Sequence, residues 1–435
     1  MIKAFSYFFC LSALSFFLHG CVQKKDKKHN NNPADSSLVN LSHLDHLYTP
    51  VTLPGGINAA GIYIYAEAPD YHMVGDSDEG FTCVDDVARA AQVYLRSSNF
   101  SNDTILQNKT YNLLQFILGM QSANGYFYNF LFPGNTINET GKTSADTPDW
   151  WSWRALLTLT EAHPQIKNIN VPLAEKIDSS VQKLIVKMKT LQPNGKLQTK
   201  MVTGIKVPQW LPAGSATDQA AIMILALVNY CSNKEDTSLI KYMRTLADGI
   251  VMMQQGKGNQ FPYGCILSWE NVWHGYGCDQ AYALLKAGRF LKDSNYIHTA
   301  LNEIKNFYPW LLKNGMRSSF TIVKKETKFN IEEEMYFAQI AYMIRPMIFA
   351  ALEAYDLTQD NIYADIAAEL SSWFFGKNIA GSVMYDKNTG RCFDGILSEN
   401  KINKNSGAES TIEALLAMQR IQNYPAIITT LKKYK

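Results

Sequence analysis

A glycine-centred turn that returns after the second helix of successive helical pairs constrains this chain more than any other feature. It reads Gln121-Ser-Ala-Asn-Gly125, Gln192-Pro-Asn-Gly195, Gln255-Gly-Lys-Gly258 and Lys313-Asn-Gly315, with a longer fifth version running from Gly376 to Gly395. Between the turns, apolar residues recur at helical spacing. The segments pair as 84–98 with 103–121, 148–162 with 171–191, 215–231 with 236–254, 271–290 with 294–312, 333–356 with 360–375, and 407–421 with 424–434. A period of roughly 60–70 residues, each unit one helical hairpin, marks a helical repeat architecture. Six hairpins predict an all-α chain closed into an (α/α)6 toroid with short β-turn excursions. No second low-complexity linker interrupts it, so residues 38–435 are expected to form a single domain.

The first helix of each pair carries the informative start. In Thr82-Cys-Val-Asp85-Asp86-Val-Ala-Arg89-Ala90, Thr82 is a good N-cap and Asp85 completes a capping box. Asp86 is surplus to capping, and Arg89 follows the two acids at helical spacing, within reach of both. Thr147-Pro148-Asp149 sets a proline at the first helical position and an acid at the positive end of the helix dipole. Ser215-Ala-Thr-Asp218 and Ser406-Gly-Ala-Glu409 read as further capping boxes, and Glu332-Glu333-Glu334 as a solvated acidic helix start. Inner helices of a toroid begin at one end, so the long, aromatic-rich loops before them would converge on one basin.

Those loops hold Tyr128, Trp150, Trp151, Trp210, Trp273, His274 and Tyr276. Flat apolar faces stack on sugar rings, and tryptophan offers the largest such face; packing at inter-helix seams explains any single one equally well. Trp150 and Trp151 point about 100° apart on a helix, so one of them is expected to face the basin. His274 sits between a tryptophan and two glycines, as a substrate contact or a hydrogen-bonded structural residue. No serine–histidine, cysteine–histidine or metal-ligand spacing stands out, so acid–base work falls to carboxylates. The candidates are Asp86, Asp149, Asp218, Glu270, Asp394 and Glu409. Asp218 and Glu409 have capping as the plain alternative, whereas Asp394 lies in a loop with no helix nearby to cap and reads otherwise as a turn aspartate beside Gly395.

A net charge of +2 and a hydrophobic fraction of 46% suit a globular, enzyme-sized body and argue against a nucleic-acid partner. At the N-terminus, Lys3 precedes an apolar run from Ala4 to Leu18 that is too short to span a membrane comfortably. Its ending, Leu18-His-Gly-Cys21, resembles a bacterial lipoprotein signal. The resemblance implies cleavage after residue 20, lipidation of Cys21, a flexible tether over 21–37 and, because Val22 follows the cysteine, sorting to an outer membrane. The protein would then touch a membrane only through that anchor. The other cysteines outside the signal, Cys83, Cys231, Cys265, Cys278 and Cys392, fit neither a zinc site nor a disulfide framework and are expected to be buried thiols.

Several motifs together resemble the six-hairpin glycosidase group, and more closely a branch of toroid domains attached to some bacterial glycosyltransferases. They are Cys83-Val-Asp85-Asp86-Val-Ala-Arg89-Ala90, Gly125-Tyr-Phe-Tyr-Asn129-Phe130, Trp151-Ser-Trp-Arg154-Ala155-Leu156, Trp273-His274-Gly275 with Gln280, Phe393-Asp394-Gly395-Ile396, and Asn403 to Thr411. The resemblance implies a monomeric toroid whose open end binds saccharides and whose acids hydrolyse a glycosidic bond without a cofactor. Asp86 and Glu409, from hairpins that adjoin if the ring closes, are the expected acid/base pair, with Asp394 as the alternative member. Arg89 would hold Asp85 and Asp86 in place, and Asp85, Arg89, Asp149 and the basin aromatics would contact substrate. Two other readings stay open: a uronate-processing lyase or epimerase using Arg154, Arg345 and His274, and a glycan-binding module whose acids only cap helices.

Overall fold

A computed structural model describes residues 37–432; Cys21 and the expected signal and tether lie outside the described residues. In chain order the helices are α1 (Ser42–Leu47), α2 (Val84–Leu95), α3 (Thr104–Gly119), α4 (Trp150–Ile166), α5 (Val171–Thr190), α6 (Thr217–Asn233) and α7 (Thr237–Met252). They continue as α8 (Gln280–Leu291), α9 (Ser294–Asn302), α10 (Tyr308–Lys313), α11 (Ala341–Thr358), α12 (Asn361–Ser372), α13 (Ala408–Ile421) and α14 (Pro425–Leu431). A wider turn of helix over Glu303–Phe307 joins α9 to α10. Helices α2, α4, α6, α8, α11 and α13 pack side by side in that order, and α13 returns to α2, which closes an inner ring. The remaining long helices lie outside it, and the architecture is an all-α (α/α)6 toroid. Among the described residues no helix is long and apolar enough to cross a membrane.

The two layers differ in sequence as their burial demands. Every residue of α6 from Thr217 to Val228 is buried, so that inner helix is apolar nearly all round. Outer α5 buries only a stripe, Leu173, Ile177, Val181, Leu184 and Met188, and turns lysines outward. Capping divides the layers too. Outer helices α3, α5, α7, α9 and α12 are each capped by the side chain of an Asp or Asn: Asp103, Asn170, Asp236, Asp293 and Asp360. Inner helices α6, α8, α11 and α13 have no side-chain cap from their own N-cap residue.

That contrast corrects three sequence expectations. Cys83, not Thr82, caps α2, because the Thr82 hydroxyl accepts instead from the Ile62 amide at 2.9 Å. The boxes expected around Asp218 and Glu409 do not form. At α13 the cap comes from Asp394, whose Oδ1 accepts from the Gly407 amide at 2.8 Å and from the Ser410 hydroxyl at 2.6 Å, so Asp394 does have a helix to cap.

Strand content is also larger than expected. Residues 319–325 and 328–335 form an antiparallel hairpin, with Phe320 opposite Glu334 and Thr321 opposite Glu333, so Glu332–Glu334 belong to a strand and α11 starts at Ala341. Val272–His274 adds a third strand to this sheet, and α8 starts at Gln280. Near the N-terminus, β1 (Tyr48–Leu53) pairs with β2 (Ile57–Ile62), and β3 (Tyr65–Glu67) with β4 (His72–Val74). The chain just before β3 touches the start of α13: the Ala408 amide donates to the Ile64 carbonyl at 3.0 Å. A Cβ on Gly407 would stand 2.4 Å from that carbonyl oxygen, which explains the glycine there. Gly407→Ala is therefore expected to cost about 1–3 kcal/mol, the usual range for forced overpacking, read as a lower midpoint in denaturant unfolding.

Candidate active site

The first turns of the inner helices meet at one end of the ring. They deliver Asp85 and Asp86 from α2, Trp150 from α4 with Asp149 ahead of it, Asp218 from α6, Tyr342 from α11 and Glu409 from α13. Arg89 joins them. Its Nη2 lies 2.8 Å from Asp86 Oδ1, 3.4 Å from Asp85 Oδ2 and 3.6 Å from Glu409 Oε2, and its Nη1 lies 2.8 Å from Glu413 Oε1. Asp86 and Glu409 therefore bracket one guanidinium nitrogen, and the two oxygens are no farther apart than the sum of those contacts.

Beneath this pair the ring is filled by charge. Glu413 is fully buried and uses both oxygens, one on Arg89 and the other on Arg345 Nε at 2.6 Å. Arg345 reaches on to Asp279 at 2.7 Å. Arg154 Nε stands 3.2 Å from Asp85 Oδ1, and its Nη2 donates to the Tyr342 hydroxyl. The guanidinium carbons of Arg89 and Arg154 lie 5.0 and 5.3 Å from the centre of the Tyr342 ring. Each of these buried ions has an opposite charge beside it, while Asp85 Oδ1 and Arg154 Nε face each other without a hydrogen bond.

The environment splits the carboxylates. Burial pushes Asp86 up to about 6, against the pull of Arg89. Burial also raises Glu409, to about 7; Arg89 opposes this, and the neighbouring Asp86 and Glu413 charges add to it. Glu409 nevertheless keeps 43% of its side chain exposed, so it is recessed among other groups yet reachable from solvent. For Glu413 burial is outweighed by Arg345 and Arg89, which hold it below its ordinary range.

The other expected site residues are distributed as follows. His274 Nε2 lies 3.1 Å from Asp218 Oδ2, while its Nδ1 is sealed without a hydrogen-bond partner. Tyr276 packs against the His274 ring at 6.0 Å, and burial raises its hydroxyl pKa. Gly277, at φ +62°, lets this loop approach α4 and α11: a Cβ there would lie 2.6 Å from the Tyr342 hydroxyl and 3.3 Å from the Trp150 ring. Asp149 accepts from the Trp150 amide and from Gln219 Nε2 at 3.1 Å, and burial raises its carboxyl. Trp150 and Tyr128 are half-buried.

Three tryptophans serve packing. Trp151 is buried with its N–H on the Phe127 carbonyl at 2.6 Å. Trp273 is only 2% exposed, stacked on Phe320 and edge-on to Phe307, so it has no free face for a sugar. Trp210 donates to the Thr245 carbonyl on outer helix α7, away from the inner ring. Asp394 is occupied in capping α13. Glu270 pairs with Lys200. The five described cysteines outside the signal are all free and buried. No group of His, Cys, Asp or Glu among the described residues is arranged to hold a metal ion. A cavity of about 410 Å³ lies on the far side of the arginine layer, lined by Arg96, Glu161, Asn229 and Lys286 among others.

Sequence reasoning missed Glu413, Tyr342 and Asp279. A signal for Glu413 exists: it is the only charge in the run Ser410-Thr-Ile-Glu413-Ala-Leu-Leu-Ala-Met, one helical turn beyond Glu409.

No protein-family model and no curated protein matches this chain. Solved structures do. Cellobiose 2-epimerase from Bacillus thermoamylovorans B4167 matches at TM-score 0.59 and 10% identity, over 88% of this chain and 95% of its own. A D-mannose isomerase matches at 0.54 and 14%, over 94% and 100%. Endoglucanase J30 of glycoside hydrolase family 9 matches at 0.50 and 13%, over 89% and 84%. At these identities the likeness establishes the toroid fold.

Removing Glu413 would leave two buried arginines short of a counter-charge. Glu413→Gln is expected to cost roughly 3–5 kcal/mol of stability by chemical unfolding, as when one partner of a buried ion pair is deleted.

Proposed function

We propose that this protein is a glycoside hydrolase, exported on a lipid anchor at Cys21, that cleaves an oligo- or polysaccharide with Asp86 and Glu409. One observation carries the reading: two carboxylates, both raised by burial, face the same Arg89 nitrogen where the inner helices begin. Glycosidic cleavage needs one carboxyl protonated to assist the leaving oxygen and one ionised. Glu409, the more exposed and more basic of the two, is the proton donor. Asp86, held on Arg89, is the ionised partner. Asp85, held between Arg154 and Arg89, and half-buried Trp150, Tyr128 and Tyr276 would orient the sugar. That solved structures of this fold include sugar epimerases, an isomerase and an endoglucanase agrees with a saccharide substrate and leaves the reaction to the residues.

The second reading is epimerisation or lyase chemistry, favoured by the His274–Asp218 pair in the same basin. It ranks lower because His274 Nε2 already faces Asp218 and its Nδ1 is shielded from solvent.

The direct test is product release from a broad glycan panel. Asp86→Asn and Glu409→Gln are each expected to lower turnover by roughly 10²–10⁴, the usual contribution of positioned acid–base groups. Release of a 4,5-unsaturated uronide would transfer the site to the lyase reading, and an epimerised, uncleaved sugar to the epimerase reading. Binding without any product would support a glycan-binding module.

The pH profile follows from the same pair. Asp86 must be ionised and Glu409 protonated, so kcat/KM is expected to rise through about pH 6 and fall through about pH 7, a narrow bell. A carboxyl raised by folding loses stability as pH rises through its folded value. Glu409→Gln should therefore unfold at the same or a higher temperature than wild type at pH 8, though inactive.

A further inference from the structure

Outside the basin, one arginine breaks the pattern of all the others. Arg89, Arg96, Arg154, Arg244, Arg289, Arg317, Arg345 and Arg420 each have a carboxylate within ion-pair distance. Among the described residues Arg391 has none. Its Nε is buried without a hydrogen-bond partner, and its guanidinium lies flat over the Tyr71 ring, 4.0 Å from the centroid. Stacking offsets part of the cost of holding a cation there, but satisfies none of its five N–H donors.

Arg391 lines a pocket of about 340 Å³ with Ser42, His43, His46, Asp70, Tyr71 and Thr389. The walls are fixed. His43 stacks on His46 and meets Tyr71 edge-on, and His46 Nε2 bonds the Tyr71 carbonyl at 2.8 Å. Burial lowers His43 to about 4, and the Arg391 charge acts in the same direction, so His43 is neutral and the pocket's cation is Arg391. Of the nearby acids, Asp70 stands at the pocket rim and pairs with His72 Nδ1 at 2.8 Å, and Asp386 accepts from the Asn388 amide and the Thr389 hydroxyl.

Both walls continue into the elements that border Glu409. The strand holding Arg391 leads directly into Asp394, which caps the first turn of α13. Tyr71 lies in the turn of the β3–β4 hairpin, and Tyr65 of β3 lies against Gly407. We propose that this pocket binds an acidic group, a carboxylate or sulfate, carried on the glycan whose cleavage is assigned to Asp86 and Glu409. A guanidinium with no carboxylate partner suits a two-oxygen acid. The substrate class is then an acidic saccharide, and the proposal rests on the hydrolase reading.

The test titrates the full chain calorimetrically with an oligogalacturonide, its uncharged methyl ester and inorganic sulfate. Arg391→Gln, Arg391→Lys and Glu409→Gln are measured beside wild type, each checked for unaltered unfolding temperature. The proposal expects the acidic oligosaccharide to bind wild type and Glu409→Gln alike. Arg391→Gln should weaken it by roughly tenfold or more, as for loss of a charge-assisted contact, with partial recovery in Arg391→Lys. The methyl ester should bind wild type no better than Arg391→Gln. Equal affinity of the acid for wild type and Arg391→Gln, or none for wild type, would overturn it. Sulfate binding as tightly as the oligosaccharide would overturn the glycan-borne assignment in favour of a free-ion site. Because Glu409→Gln retains binding without turnover, these results stand apart from any failure of the hydrolase reading.

Discussion

The two-armed contact of Glu413 with Arg89 and Arg345 is the interaction on which the rest of the ring depends. It ties α13 to α2 on one side and to α11 on the other, across the seam where the last hairpin meets the first. A toroid built from six similar hairpins must specify where it closes, and a fully buried carboxylate with two cationic partners does so by a penalty: misregister leaves an ion unpaired in a low-dielectric core. Gln419 on the same helix adds a second tie, donating to the Val93 carbonyl of α2 at 2.7 Å.

The same clasp sets the chemistry above it. Arg89, held by Glu413, offers its other nitrogen to Asp86, Asp85 and Glu409, so the buried clasp and the proposed acid pair share one cation. With part of the guanidinium committed below, Arg89 does not fully compensate the acids above, and burial prevails for Asp86 and Glu409. Leaving α13 without a cap from its own N-cap residue belongs to the same arrangement. An acid spent on capping, as Asp394 is, has fewer lone pairs for substrate, whereas Glu409 on the same first turn is relieved of that task.

Much of this was legible in the sequence, because helical periodicity and glycine turns are local signals. The hairpin order, the ring and the convergence of Asp86, Arg89 and Glu409 follow from them; Gly125, Gly195 and Gly315 all have the positive φ such turns require. What escaped was non-local. Asp394 accepts from Gly407, the N-cap residue of α13 thirteen positions later, which capping-box spacing cannot reveal. Glu332–Glu334 sit opposite Phe320 and Thr321 on a strand, where cross-strand pairing and the Arg317–Glu334 contact outweigh the resemblance to an acidic helix start. Trp273 and Trp151 are consumed by packing because an aromatic in a loop reads the same whether it faces a basin or a seam. Glu413 hid inside an apolar run, where its meaning depends on arginines from two distant helices.

The central claim, that burial around a shared guanidinium leaves two acids with raised pKa values, is tested most directly by following the carboxyl carbons in an NMR titration, with Asp86→Asn and Glu409→Gln to assign the signals. A coupled pair with apparent midpoints near 6 and 7 is expected, the higher one lost in Glu409→Gln. Both groups titrating in the ordinary carboxylate range, near 4, would contradict it, since no proton donor would then remain at neutral pH.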